Sequence, residues 1–455
     1  MKFIIEKNIL LQALLLTKHG IMTAREASNS RMSEIFRSYH FKVEADTLVI
    51  ATSNSEIFMS KAVSIENPAN ESRQFVIFTY YLLNGIKTLD NQKLTIEVFE
   101  YQAVIHHSIG SFAVPLCEGA EECFKIPTVS TETAHHLTME APGLLSVLNK
   151  CSFAMANDAL RPVMNGIMFN LQTGHAEFAA SDGHKLVKVC KKSIVRDNPA
   201  WMIMPDRIVR LLQKILPKTG WVDIDFIQYE IDWPADSKEP QPRALCHIVL
   251  EGQLDLTFKA IEGRYPNYNS VIPTNHTRSL TIDRLALIKS FERLHHFTAE
   301  SGLVIIRLSK DTMRLESKDV DFAIEANEAI ACQYDSEDMK IGLKDESTLQ
   351  ILKNLKSEKV VFQLTDPSRA AIILPEPQPD CEEITMLVMP MPCPMPSIRA
   401  ESDPRRFVST FIWASKKNAT NKEPEPEPPK PDKPKAVEPV RIERKRPEYK
   451  QLELW

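Results

Sequence analysis

The sequence predicts an α+β protein made of three similar units. Strand-like runs outnumber helical ones, which favours sheets with helices on one face. One strand–helix pattern recurs at intervals of roughly 135–145 residues, and a second, related pattern falls midway between its copies. Any α+β domain places strands beside helices, so the threefold repeat is the most specific of these observations.

The first pattern is a short strand followed directly by an amphipathic helix. Its apolar residues alternate at first and then recur every three or four positions. The copies read KFIIEKNILLQALLLTK from Lys2, HLTMEAPGLLSVLNKC from His136 and SLTIDRLALIKSFERL from Ser279.

The second pattern is again a strand and a helix. It reads QFVIFTYYLLNGIKTL from Gln74, WMIMPDRIVRLLQKIL from Trp201 and MKIGLKDESTLQILKNL from Met339. Alternating runs such as KLTIEVFEYQAVIHH follow each helix and predict antiparallel strands. Each unit is therefore predicted to consist of two β-α-β-β-β halves, and the three units are placed at 1–126, 127–276 and 277–395.

Composition changes sharply beyond these units. Between Asn421 and Lys450 there are eight prolines in thirty residues, interleaved with Glu and Lys. Such a segment cannot bury a core, so we expect residues 396–450 to form a disordered, Pro-rich tail. The five residues at 451–455 read QLELW.

Composition and motifs exclude several classes of protein. A net charge of −5 is unlike that of a uniformly basic nucleic-acid-coating protein. Neither GxGxxG nor GxxxxGK[ST] occurs, so nothing favours a dinucleotide fold or a P-loop. The 8 cysteines form no CxxC pair and indicate free thiols in a reducing cytosol, and no apolar run is long enough to span a membrane. We expect a cytoplasmic protein with no membrane partner and no cofactor.

Little in the sequence suggests catalysis or a metal site. Histidines occur in adjacent pairs three times, but neighbouring side chains point to different faces and make poor metal ligands. The run Ser181-Asp182-Gly183-His184 contains the residue types of a catalytic triad, although a triad is a spatial arrangement and His184 fits a turn more simply. We expect no catalytic residue and no metal, and therefore no enzyme.

Basic residues follow one face of several predicted helices. Arg207, Arg210 and Lys214 fall at i, i+3 and i+7 of one helix, and Lys289 and Arg293 form an i, i+4 pair on a later one. For each helix alone, the simplest interpretation is a solvated face. If all of these helices face one space, an acidic chain presents a basic inner surface that holds DNA by its phosphates without reading sequence.

Several motifs, in order along residues 130–393, resemble one known family. They are RPVMNGIMF from Arg161, SDGHKL from Ser181, EGRYPNY from Glu262 leading to VIP from Val271, LTD from Leu364 and LVMPM from Leu387. Their order and spacing resemble the bacterial sliding clamp, the beta subunit of DNA polymerase III. The first unit resembles the family only in its opening strand and helix and in its length, so the chain is identified as a divergent member.

The resemblance implies a head-to-tail homodimeric ring around duplex DNA, bound without sequence preference, with the helices lining the hole. The chain is then expected to be a nucleoid-associated processivity factor for DNA polymerase. The residues expected to face DNA are Arg161, Arg207, Arg210, Lys214, Lys289 and Arg293. Ring closure is expected to bring Phe112 and Val114 of one chain against His296 and Phe297 of the other.

The resemblance also implies a hydrophobic pocket for polymerase and clamp-loader partners between the second and third units. By motif alignment its residues are Met164, Gly183, His184, Lys185, Leu186, Pro266, Val271, Val388, Met389, Pro390 and Met391. An apolar, Met-rich cleft suits varied peptide side chains. The alternative is that these are ordinary core residues.

The QLELW segment looks like the peptide with which polymerases and other partners enter this pocket. Its matching residues are Gln451, Leu452, Leu454 and Trp455. Gln451 would supply directed hydrogen bonds, whereas Leu454 and Trp455 would bury apolar area. We expect the peptide to occupy the pocket of its own chain or of a second clamp. The alternative is a chance apolar ending.

Two functions of different classes stay open at this point. The first is a DNA sliding clamp that serves as a platform for polymerase and repair partners. The second is a clamp-derived regulator or decoy, which binds a conventional clamp through the QLELW segment without encircling DNA productively. An enzyme is a third class, but the sequence contains no nucleophile or metal motif that supports it.

Overall fold

The computed structural model describes residues 1–22, 34–117, 134–192, 194, 199–227, 244–250, 254–319 and 323–393. All of them lie in Met1–Pro394, which is the first of two compact parts of the chain. These two parts are distinct from the three repeat units. The second part, Met395–Trp455, contains the whole predicted tail at 396–450 and the QLELW peptide, and both lie outside the described residues. The predicted boundary at 126/127 also lies outside them.

Three stretches of the chain hold the same order of elements, two successive β-α-β-β-β halves. In the first stretch these are β1 Lys2–Glu6, α1 Lys7–Thr17, β2 Ser38–Glu44, β3 Thr47–Ser53, β4 Ile57–Ser64, β5 Arg73–Phe78, α2 Thr79–Lys87, β6 Lys93–Val98, β7 Gln102–His107 and β8 Gly110–Pro115. In the second they are β9 His135–Glu140, α3 Ala141–Ser152, β10 Gly166–Gln172, β11 His175–Ser181, β12 Lys185–Lys191, β13 Ala200–Pro205, α4 Asp206–Ile215, β14 Trp221–Ile227, β15 Leu245–Leu250 and β16 Leu254–Lys259. In the third they are β17 Arg278–Asp283, α5 Arg284–His295, β18 Leu303–Ser309, β19 Thr312–Asp319, β20 Ile324–Ala331, the short β21 Gln333–Tyr334, β22 Met339–Lys344, α6 Asp345–Asn354, β23 Lys359–Leu364, β24 Ala371–Glu376, β25 Glu382–Val388 and the short β26 Pro390–Met391. The predicted α+β class with paired half-repeats is confirmed.

Each helix follows its strand without a loop. In β1, Phe3 and Ile5 are buried and alternate with more exposed neighbours, and Leu10 of α1 continues into the same core. The last strand residue stays extended and serves as the helix N-cap. At α5 this residue is Asp283, whose carboxylate accepts a hydrogen bond from the amide of Ala286 at 2.6 Å.

The strands form four antiparallel sheets. Their orders are β1-β6-β7-β8, β5-β2-β3-β4-β16-β15-β14-β9, β13-β10-β11-β12-β25-β24-β23-β17-β21 and β20-β19-β18-β22-β26. The opening strand of each half therefore pairs with strands of the other half, as β1 does with β6 and β5 with β2. This exchange joins the two halves of a unit through backbone hydrogen bonds.

Two of the sheets run across the boundaries between units. We call the strand pairing at each boundary a seam. In the first seam β4 pairs with β16, with Met59 opposite Leu256. In the second seam β12 pairs with β25, with Val187 opposite Met386. The same positions of the repeat meet at both seams, because β4 and β12 each end a first half, whereas β16 and β25 each end a second half.

Each of the two remaining sheets ends in a strand that corresponds, by its place in the repeat, to a strand that forms a seam. Within the described residues, β8 pairs only with β7, and β20 pairs only with β19. By its place in the repeat, β8 corresponds to β16 and β25, and β20 corresponds to β4 and β12. An unpaired edge exposes backbone donors and acceptors that favour pairing with another strand.

A buried ion network crosses the second seam. Glu382, which begins β25, is held by the ammonium of Lys191 at 2.5 Å and by that of Lys150 on α3. All three side chains are largely shielded from solvent. Burial opposes ionisation of Glu382, but the hydrogen bonds from both lysines outweigh it and hold the pKa of this carboxyl below its usual range.

We expect Glu382→Gln to lower the free energy of unfolding by about 3 kcal/mol near neutral pH, because two buried lysines lose their counter-charge. Because the folded-state pKa of Glu382 is depressed, its stabilisation is present above the unfolded pKa and is lost as pH falls through the folded pKa. Urea titrations at neutral and acid pH measure both effects.

The neighbouring residue supplies the control for this prediction. Glu383 faces Lys192 at 3.9 Å, and both side chains are exposed. Glu383→Gln should change the unfolding free energy by less than about 0.5 kcal/mol. Equal effects of the two substitutions would contradict the assignment of a buried network.

Candidate functional site

The predicted partner pocket lies along the second seam. Leu186 of β12 is opposite Leu387 of β25, and Lys185 is opposite Val388. Just beyond the paired strands, the amide of Met389 donates to the carbonyl of His184 at 2.7 Å. The structure thus brings the His184 turn and the Met389 strand end side by side, although about 200 residues separate them in the chain.

The His184 turn is fixed by its own side chains. The Oδ1 atom of Asp182 accepts hydrogen bonds from the amides of His184 (2.8 Å) and Lys185 (2.9 Å), and Oδ2 contacts the Lys185 ammonium at 2.5 Å. Burial works against ionisation of Asp182, but these hydrogen bonds prevail and keep its pKa below the ordinary value. Gly183 has φ +91°, and a Cβ there would lie 3.2 Å from Nη1 of Arg161.

A second loop is tied by one tyrosine to this turn and by another to the preceding strand, β11. The Tyr265 hydroxyl accepts a hydrogen bond from the amide of Ser181 at 3.0 Å. The Tyr268 hydroxyl donates to the buried carboxylate of Glu177 at 2.6 Å. These contacts anchor the loop that carries Pro266 and Val271. Glu177 was not identified from the sequence, because nothing near it in the chain signals a partner 91 residues away.

The predicted pocket residues divide into a buried and an accessible group. Met164, Lys185, Leu186 and Val388 are buried, and Leu186 and Val388 belong to apolar clusters beneath the turn and the seam. Val271 is 47% exposed and Met389 38% exposed. Gly183, His184 and Pro266 are also exposed. A partner that meets this conformation therefore contacts the second group, while the first group supports it from below.

Pro390 and Met391 follow a different strand. They form β26, which pairs with β22 and places Met391 opposite Gly342. A Cβ at Gly342 would lie 2.7 Å from the Met391 carbonyl oxygen, so this close approach of two backbones requires glycine. The three residues 389–391 therefore connect the seam sheet with the last sheet of the chain.

The predicted DNA-facing cations also divide into two groups. Arg161 pairs with Asp158 at 2.8 Å, Arg210 with Asp206 at 2.8 Å, and Arg293 makes two contacts of 2.6 Å with Glu328. These three arginines already have carboxylate partners. Lys214 and Lys289 are exposed, and neither forms an ion pair with the described residues. Arg207 is half-buried on the same helix as Lys214.

Lys214 also marks where two helices approach each other at the first seam. It lies close enough to His19, just beyond α1, for its charge to affect that imidazole. Burial lowers the pKa of His19, and the positive charges of Lys214 and Lys18 lower it further. The ends of α1 and α4 therefore bring positive charge together beside the seam.

The predicted ring-closure residues lie beside the two open edges. Phe112 and Val114 are on β8, where Val114 is buried and Phe112 lies close to Gly85 of α2. His296 and Phe297 follow α5, which is tied to β20 through Arg293 and Glu328. Phe297 is 40% exposed.

Within the described ranges, the chain has neither a metal-binding cluster nor a membrane-spanning helix. No group of three or more His, Cys, Asp or Glu side chains there could hold a metal ion. No helix in the same part of the chain is long and apolar enough to cross a bilayer. The QLELW peptide lies outside the described residues, so its predicted contacts stay predictions.

Three family models together match the chain over most of residues 1–392. Residues 1–134 match the N-terminal domain of the DNA polymerase III beta subunit, residues 138–267 its central domain and residues 269–392 its C-terminal domain. The match over 1–134 includes the stretch in which sequence motifs are weakest.

Individual relatives agree with the family models. The chain is 24% identical to a beta sliding clamp of Treponema pallidum over 399 residues, which cover 86% of this chain and 99% of that protein. It is also 24% identical to a beta sliding clamp of Pseudomonas putida, with 86% and 100% covered. A solved DNA polymerase sliding clamp of Pseudomonas aeruginosa has the same fold, with a TM-score of 0.74 at 21% identity over 86% of this chain and 100% of that one.

Proposed function

The chain belongs to the DNA polymerase III beta subunit family, and we propose that it is a DNA sliding clamp. Two chains form a ring that encircles duplex DNA and tethers polymerase to it. Retention then comes from topology, while weak and screened phosphate contacts let the ring slide. This function requires no catalytic step by the protein.

The observation that carries the proposal is the repetition of one strand pairing at both seams. Leu256 lies opposite Met59 in the first seam, and Met386 lies opposite Val187 at the equivalent position of the second seam. The strand registers place Phe112 of β8 at the position of Leu256, and Ala326 of β20 at the position of Met59. We therefore propose that Phe112 of one chain lies opposite Ala326 of the other, in a third seam of the same kind.

Closure of two such seams makes a ring of six similar units. The third seam also brings α2 of one chain beside α5 of the other, because Gly85 lies against Phe112 and Arg293 is paired with Glu328 on β20. Phe297 then lies at the contact between the chains. This proposal keeps the expected contact of Phe112 and Val114 of one chain with His296 and Phe297 of the other.

The two exposed lysines, which form no ion pair with the described residues, provide the test of DNA binding. We expect Lys214→Glu and Lys289→Glu each to weaken binding to a short linear duplex and to reduce the slope of log K against log salt by about 1. Arg210→Gln should reduce the slope by less than half as much, because Asp206 already compensates Arg210. Fluorescence anisotropy at several salt concentrations measures the slopes.

Two results would contradict this account, the first in its placement of DNA and the second in its treatment of Arg210. Unchanged slopes in both lysine variants would mean that α4 and α5 do not face DNA. An equal effect of Arg210→Gln would mean that the ion pair with Asp206 does not limit that arginine.

The accessible part of the pocket is proposed as the docking site for polymerase and clamp-loader subunits. Val271 and Met389 present apolar area beside the fixed His184 turn, and such area binds leucine and aromatic side chains of a peptide. We further propose that the QLELW segment competes for this site, in its own chain or in a second clamp. A random-coil link of about 55 residues would have an r.m.s. span of roughly 40 Å, and such a tether would give an effective concentration of about 1 mM.

A further inference from the structure

Two tyrosines at the start of α2 are unusually exposed. The side chain of Tyr80 is 73% exposed and that of Tyr81 58% exposed. Their ring centroids are 5.5 Å apart with an interplanar angle of 85°. Neither residue contributes to the partner pocket, to the seams or to the predicted DNA-facing set. Neighbouring exposed aromatic rings commonly mark a binding surface.

The tyrosines border an open cavity of about 460 Å³. Ile21, Phe78 and Leu83 contribute apolar surface to it, and Lys18 and Arg37 contribute positive charge. Its volume is within the range of small-molecule sites and is large enough for a nucleobase with its sugar. We refer to Tyr80, Tyr81, Lys18 and Arg37 as the tyrosine surface.

The electrostatics of the tyrosine surface favour an anion. Lys18 and Arg37 are exposed, and the described part of the chain gives neither of them an ion-pair partner. One carboxylate, that of Glu34, lines the same cavity, so positive charge prevails. The hydroxyl of Thr79 donates to the carbonyl of Arg37 at 2.6 Å, which holds the Arg37 backbone beside the helix start. The positive end of α2 adds to this potential.

The internal repeat allows Tyr80 to be compared with the residue at the same position of the next unit. Tyr80 is the second residue of α2, and Arg207 is the second residue of α4, its counterpart in the next unit. An aromatic ring thus occupies the place where the other helix presents a cation. The bases of a duplex are stacked on each other and shield their faces, whereas unpaired bases expose them to aromatic side chains.

We propose that the tyrosine surface binds single-stranded DNA, with unpaired bases stacked on Tyr80 and Tyr81 and phosphates held by Lys18 and Arg37. The proposal rests on the proposed function, because the clamp arrangement is what brings α2 close to DNA. It adds a contact for unpaired DNA to the duplex contacts of the proposed ring.

Binding of a labelled oligothymidylate by the full chain tests the proposal. At low ionic strength we expect Tyr80→Ala and Tyr81→Ala each to weaken binding about 5- to 150-fold, the range measured for loss of one base–aromatic stack. Tyr80→Phe keeps the ring and should stay within about twofold of the parent chain. Both tyrosines are exposed, so the substitutions should leave unfolding and dimer mass unchanged.

Several results would overturn the proposal. These are no measurable binding of the oligonucleotide by the parent chain, equal binding by the alanine variants, or an equal loss of binding to a blunt duplex. It is also wrong if Tyr80→Ala weakens capture of an isolated QLELW peptide instead, since the surface is then a peptide site.

Retention on circular duplex DNA separates this inference from the function on which it rests. A chain that is retained on the circle but fails the oligonucleotide test keeps its clamp function and loses only the single-strand site. A chain that passes the oligonucleotide test but is not retained on the circle loses the clamp function.

Discussion

Phe297→Asp is expected to convert the proposed dimer of this protein into monomers. Phe297 is 40% exposed in one chain and lies where α5 is proposed to meet the partner chain. A carboxylate there loses the burial of a phenyl ring and carries a charge into the proposed contact between the chains. A loss of ~2 kcal/mol at each of two seams weakens the ring about a thousandfold.

Light scattering of the purified chain measures this effect, with a parent mass near twice 51.7 kDa and a variant mass near 51.7 kDa. Leu285→Asp is the matched control, because Leu285 is similarly exposed near the opposite end of the same helix. The control should stay dimeric. A dimer that survives Phe297→Asp would contradict the placement of Phe297 at the contact between chains.

Deletion of Gln451–Trp455 is expected to increase the affinity of the pocket for an added QLELW peptide about a hundredfold. A tethered competitor at an effective concentration of about 1 mM occupies a site of intrinsic Kd on the order of 10 µM almost completely. Removing the competitor frees the site. Titration of a labelled peptide into the parent and shortened chains measures the difference.

A chain in which the last five residues are scrambled is the control, and it should behave like the deletion. Equal peptide affinity of the parent and shortened chains would contradict occupation of the pocket in cis. If the deletion also turned dimers into monomers, the segment itself would join the chains, and the β8–β20 seam would not be what holds them.

The repeated architecture could be predicted from sequence because each half-repeat is a local pattern. A strand with alternating buried residues, such as Phe3 and Ile5, leads directly into a helix at three- and four-residue spacing. The exchange of opening strands between halves could not be predicted, since β1 and β6 are about 90 residues apart. Periodicity reports which face of a strand is buried, but it does not report the partner strand.

The candidate sites show the same division between local and distant information. The ion pair of Asp206 with Arg210 follows the i, i+4 rule and could have been identified from spacing. The pair of Arg293 with Glu328 joins a helix to a strand 35 residues away, and no local signal announces it. Likewise, the motifs place His184 and Met389 in one predicted pocket, and the two residues are adjacent in the structure, but the motifs do not distinguish buried Leu186 from exposed Val271.

The central claim is that β8 of one chain pairs with β20 of another to close a ring around DNA. The proposed register places Ala113 opposite Glu325, and the side chains of both residues are exposed. Opposed residues of antiparallel strands have Cα atoms about 4.5–5.5 Å apart, which suits a disulfide. A chain with Ala113→Cys and Glu325→Cys can therefore be closed covalently by a mild oxidant, with each single variant as control.

The most direct measurement is oxidation of this double variant in the presence of a nicked circular duplex, followed by denaturing electrophoresis before and after the circle is cut. The account predicts a covalent dimer that stays with the circle in denaturant and is released when the DNA is linearised. A double variant that gives no more covalent dimer than the single variants, or a dimer that is never held by the circle, would contradict it.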